Sequence, residues 1–103
     1  MPRYFYYLKL IPPRTTFVED MTSSERKLMQ EHAAYMKQLF VEGNVLIYGP
    51  VKAAAGPFGM GVLEAENEGE ARKMIDNDPT IRAGMNTFQL SPMVVGAARG
   101  TKD

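Results

Sequence analysis

Two periodicities alternate along the chain. Over Tyr4–Ile11, aromatic and branched residues fall on both sides of a period of two: Tyr4, Tyr6, Leu8 and Leu10 on one, Phe5, Tyr7 and Lys9 on the other. This predicts a strand over residues 3–11 that is apolar on both faces. Pro12-Pro13 ends it, since neither residue can donate to a ladder. From Thr22 to Gly43 the period becomes helical. At 100° per residue, Tyr35, Leu28, Leu39, His32, Met36, Met29, Phe40 and Ala33 share an arc of about 160°. Arg26, Lys27, Gln30, Lys37 and Gln38 take the opposite side. Ser23 or Ser24 is placed to cap this helix and Gly43 to stop it. Residues 12–21 read as a charged connection in which Phe17 and Val18 fold back onto the body.

Residues 44–50 form a second strand, again apolar on both faces, closed by Gly49-Pro50. After a small, turn-forming stretch, residues 59–66 form a third, whose Gly59 and Gly61 allow close approach of a ligand or another backbone. Residues 68–77 are a shorter helix with an Ala71, Met74 and Ile75 stripe, ended by Asp78-Pro79. The last strand, 87–97, contains Pro92, which implies an edge position, a bulge or two short strands. Residues 98–103 are a polar tail.

Strand, helix, strand, strand, helix, strand gives an α+β fold. It is the ferredoxin-like βαββαβ arrangement, a four-stranded antiparallel sheet with two helices on one face. The helices cover one face, yet the strands are apolar on both. An uncovered apolar face is rare in a monomer, so a homodimer is expected, sheet to sheet about a two-fold axis.

Composition narrows the chemistry. A chain of 103 residues is a single domain, 1–103. Twelve basic and twelve acidic residues cancel, and no basic block interrupts the pattern, so nucleic acid is not an expected partner. The absence of cysteine removes disulfides, thiol catalysis and Cys-based zinc sites. With one histidine, a transition-metal site within the chain is not expected. No apolar run reaches the ~18 residues that span a bilayer, and Met1-Pro2-Arg3-Tyr4 does not begin a signal peptide. A cytoplasmic protein without a membrane partner is expected. The methionines, eight in all, read as gap-filling core residues.

His32 lies in the apolar arc of the long helix, where a histidine is either a satisfied core residue or a catalyst. Asp78-Pro79 likewise has two readings. It is an N-cap and first helical residue for a short turn through Arg82, or it presents a carboxylate to His32, since the topology brings the end of the second helix to the same end of the domain. A carboxylate beside an imidazole fixes its tautomer and stabilises its charged form, as a general base requires. No serine or cysteine motif accompanies it, so a nucleophilic triad is unsupported. Gly56-Pro57-Phe58-Gly59 is either a hairpin connection or a binding loop. Arg3, Tyr4, Tyr6 and Tyr48 either line a pocket or fill core and interface.

These residues resemble the YCII-related (YciI-like) family of the dimeric α/β-barrel superfamily. The likeness rests on the inward His32, on Gly43-Asn44-Val45-Leu46 followed by Tyr48-Gly49-Pro50, on Gly61-Val62-Leu63-Glu64-Ala65 with Glu70-Ala71, on Asp76-Asn77-Asp78-Pro79, and on Ser91-Pro92. It implies His32 and Asp78 as the catalytic pair; Tyr6, Tyr48, Gly49, Pro50 and Ser91 are the expected substrate-binding positions. It implies a cofactor-free lyase or isomerase, dehydrochlorinase-like or lactone-isomerase-like, acting on a small ring compound as a homodimer that can assemble further. The alternative is a non-catalytic, ligand-binding or accessory dimer with the same pocket. The Pro12–Asp20 segment departs from the family pattern and is expected to reshape the pocket entrance.

Overall fold

The computed structural model describes residues 3–100. In chain order the elements are β1 (Tyr4–Ile11), α1 (Phe17–Asp20), α2 (Ser23–Val41), β2 (Val45–Val51), β3 (Phe58–Ala65), α3 (Glu68–Asp76), α4 (Pro79–Arg82) and β4 (Thr87–Met93). The strands form one antiparallel sheet in the order β2-β3-β1-β4. This is the ferredoxin-like order, with two one-turn helices, α1 and α4, added to the two expected. The polar tail expected from residue 98 is described only as far as Gly100, and residues 101–103 lie outside the described residues.

Alternation along β1 sorts the sheet into two faces. Tyr6, Leu8 and Leu10 are buried, while Phe5, Tyr7, Lys9 and Ile11 are half-buried on the other side. Cross-strand pairs share a face, so Val62 and Ser91, both opposite Tyr7, belong to that second side. A bulge in β2 between Val45 and Ile47 inserts Leu46. It turns Val45 into the core and Ile47 outward, at 4% and 55% exposure. β4 is an edge strand, and Pro92 lies within it opposite Tyr6, so of the three options for this proline the edge position holds. The strand stops at Met93 rather than continuing to residue 97.

The start of α2 is set by Thr22, not by Ser23 or Ser24. Its hydroxyl accepts from the Glu25 backbone N–H at 3.2 Å, and the Glu25 carboxylate accepts from the Thr22 N–H at 2.9 Å. Thr22 alone has an acidic residue three positions on, and a reciprocal box satisfies two orphan donors together. At the other end Gly43 adopts φ 86. Its N–H donates to Phe40 O at 3.1 Å, and that of Asn44 to Leu39 O at 2.9 Å, the paired bonds of a Schellman stop. The buried face is narrower than the sequence arc. Met36 and Leu39 are fully enclosed, whereas Ala33 and Phe40, at its margin, are exposed. The core joins these two to Tyr6, Leu8, Val45, Leu63, Ala65, Ala71 and Ile75. The Tyr35 hydroxyl donates to Met74 O at 2.6 Å and ties α2 to α3.

Candidate active site

Asp78 and Pro79 open α4 as N-cap and first residue, which places the carboxylate at a fixed height beside α2. Asp78 Oδ1 accepts from the backbone N–H of Thr80 at 2.8 Å and from its Oγ1–H at 2.7 Å. Asp78 Oδ2 accepts from His32 Nδ1–H at 2.5 Å. Both readings of Asp78 are therefore occupied at once, one by each oxygen. The carboxylate is 1% exposed. Burial pushes its pKa up, but the hydrogen bonds from His32 and Thr80 and the charge of the imidazole outweigh burial and hold it below the usual carboxylate range. An ionised Asp78 can only accept, so Nδ1 carries the hydrogen, and in the neutral imidazole the lone pair is on Nε2. Nε2 makes no hydrogen bond among the described residues, and the His32 side chain keeps 17% exposure. It is the atom left for a ligand.

His32 stands in the wall of a cavity of about 280 Å³. Met29, Ala33 and Met36 of α2 form the same wall, and Leu8, Leu10 and Gly59 form the floor. Gly59 keeps that floor low, for a Cβ there would come 3.3 Å from Leu10 Cβ. Gly61, the other expected point of close approach, is used by the protein itself: Met36 Cε would lie 3.7 Å from its Cβ. Tyr48, Gly49 and Pro50 line the far side, with the Tyr48 ring edge-on to Phe40 at 6.1 Å between centroids. The remaining two substrate-binding candidates lie elsewhere. Tyr6 is packed in the main core. Ser91, opposite Tyr7, projects from the uncovered side of the sheet, and the sheet separates it from the cavity.

Two parts of the site go beyond what the sequence indicated: a residue it did not single out, and the anchor behind the expected fold-back of Phe17. One is Asn86, which is 3% exposed, lines the cavity and sets its amide against Met29. The other is the closure of the 12–21 segment. Phe17 is buried in the cavity wall beside Pro12 and Val18, and Arg14 holds α1 over it. Arg14 Nε donates to Asp20 at 2.7 Å, and its two terminal nitrogens donate to Glu25 at 2.8 and 3.0 Å. The Arg14 hydrogen bonds, followed by that from the Thr22 backbone, push Glu25 down to about 2. The expected charged connection is thus a closed network anchored on the capping box of α2.

The sequence matches the YCII-related domain over residues 6–93. The chain belongs to the YCII-related family. No curated protein matches the sequence significantly. Among solved structures, the fold of this YCII-related chain is similar to that of 5-chloro-2-hydroxyhydroquinone dehydrochlorinase from Burkholderia phenoliruptrix AC1100, solved in complex with 2,5-dihydroxybenzoquinone. The two share 19% identity at a TM-score of 0.65, over 88% of this chain and 95% of that one. It is also similar to an uncharacterised protein from Thermotoga maritima, at 13% identity and a TM-score of 0.53, over 90% of this chain and 100% of that one. At these identities the likeness is one of fold.

Proposed function

We propose that this YCII-related protein is a cofactor-free lyase or isomerase in which His32 Nε2 takes a proton from a small ring compound. The observation that carries the reading is the 2.5 Å hydrogen bond from His32 Nδ1–H to Asp78 at the wall of an apolar cavity. Asp78 holds the tautomer that leaves Nε2 basic, and its charge stabilises the imidazolium that forms. The Asp78 carboxylate is buried, so the attraction is stronger than at the surface. An apolar cavity of about 150 Å³ accepts benzene, so this one has room for a substituted ring. For a chlorinated hydroxy-ring, the step starts from the keto tautomer, whose chlorine sits on a tetrahedral carbon. Nε2 takes a ring hydroxyl proton, the O–H pair becomes the carbonyl π bond, and the displaced ring electrons expel chloride. The net change is loss of HCl and needs no redox partner. A dehydrochlorinase of similar fold is consistent with this class of substrate.

The same reading includes a homodimer. Phe5, Tyr7 and Ile11 are half-buried on the sheet face that no helix covers, and a second copy would bury it.

The test is chloride release from 5-chloro-2-hydroxyhydroquinone, followed beside isomerisation of small chlorolactones. Wild type should turn over at least one of them, and His32→Gln should lose about 10²- to 10⁴-fold in kcat, the usual contribution of a general base, while remaining folded. Turnover undiminished in His32→Gln would refute the role of His32. Saturable binding that moves the His32 imidazole resonances, without turnover, would select the non-catalytic ligand-binding dimer.

A further inference from the structure

Asn86, like Tyr48, is a polar residue of the cavity lining that the His32–Asp78 pair does not use, and of the two it is the one that is almost wholly buried. Its backbone is fixed, for Asn86 N–H donates to Thr80 O at 3.2 Å, and Thr80 is the residue whose N–H and hydroxyl hold Asp78. His32, Asp78, Thr80 and Asn86 are therefore one hydrogen-bonded series, which sets the Asn86 backbone on the same turn that holds the Asp78 carboxylate. Its side chain is the weakly held end. Nδ2 reaches only the thioether of Met29, at 3.8 Å, and thioether sulfur is a weak acceptor. Oδ1 is buried without any hydrogen-bond partner. Turning the amide over would set Oδ1 against the thioether, which has no hydrogen to donate, so Oδ1 is unsatisfied in either orientation. A buried amide in this condition is a standing destabilisation, and an apolar side chain of the same size would relieve it.

Location gives the amide a use. Met29 precedes His32 by three residues on α2, which places the two on one helix face about 5–6 Å apart at Cβ. Both line the cavity, as Asn86 does. A ring held with one oxygen at His32 Nε2 therefore brings its neighbouring substituents towards the Asn86 amide. A carboxamide both donates and accepts, so it can meet a hydroxyl in the substrate and the carbonyl that replaces it in the product.

We propose that Asn86 is a specificity-determining residue that hydrogen-bonds a second oxygen on the ring whose first oxygen engages His32. The preferred ligands are rings with at least two hydroxyl or oxo groups. This rests on the reading of the cavity as a ring-binding site. The experiment uses phenol and the three dihydroxybenzenes as probes on the full chain, with dissociation constants read from the imidazole resonances of the single histidine. Wild type should bind the best dihydroxybenzene about tenfold tighter than phenol, the value of one hydrogen bond that satisfies a buried partner. Asn86→Leu should erase that preference and raise Tm. Asn86→Ala, which cannot crowd the cavity, should erase the preference as well and reads the result if the leucine variant does not fold. A preference that survives in either variant, or no preference in wild type, overturns the proposal. Wild type that binds neither phenol nor any dihydroxybenzene overturns the ring-binding reading and this inference with it.

Discussion

Asp78 joins two tasks that are separable by chemistry. As N-cap it needs an acceptor oxygen, and asparagine caps nearly as well as aspartate. As partner to His32 it needs a charge. Asp78→Asn should therefore keep α4 and the fold while weakening any turnover. The pH dependence follows from the direction of the shift. The folded carboxyl titrates below its ordinary value, about 3.9 in an unfolded chain, so the unfolded state takes up the proton first. Asp78 then adds stability above about pH 4 and loses that contribution as pH falls through its folded value. Urea unfolding at successive pH should find wild type more stable than Asp78→Asn near pH 6, with the two converging in acid. Asp20 and Glu25 are also held low, but they are common to both proteins and cancel in the difference. A gap that does not narrow in acid would rule this assignment out. Of these residues, His32 was legible because a helical period placed it among Met29, Met36 and Leu39. Asn86 was not, because a single asparagine before a strand reads as a turn residue, and only tertiary structure sets it against Met29.

At the scale of elements, the long helix was legible through its period and its terminal glycine, although its cap, Thr22, lies one residue before Ser23 and two before Ser24. Gly43 has φ 86, and a Cβ added there would meet no atom within 4 Å. Alanine at this position therefore clashes with nothing and suffers only the left-handed backbone. Gly43→Ala should cost about 1 kcal/mol in chemical denaturation, with an unchanged m-value. A loss of several kcal/mol would mean that more than backbone preference is at work. The one-turn helix α1 was illegible for a physical reason. Four residues are too few for a period, and Arg14 holds the turn through Glu25, a partner eleven positions away. The bulge at Leu46 was hidden in the same way. It exists relative to β3, and the alternation of β2 alone cannot reveal it.

For the whole molecule, the order of elements yielded the sheet topology, and the two-sided apolar strands pointed to a second copy. Tyr7 sits near the centre of the uncovered face, between Val62 and Ser91. Sedimentation at micromolar concentration should find a dimer whose Tm rises with concentration. Tyr7→Arg should sediment as a monomer with a concentration-independent Tm, since a charge buried there would lack a partner. A wild-type monomer would remove the dimer from the proposed function. The two outer strands bear on the same question. Each carries a proline, Pro50 in β2 and Pro92 in β4, and a proline withholds the amide that an added strand would need. Sideways growth into a fibre is therefore discouraged at both edges of the sheet, which leaves the uncovered face as the route for the proposed pairing.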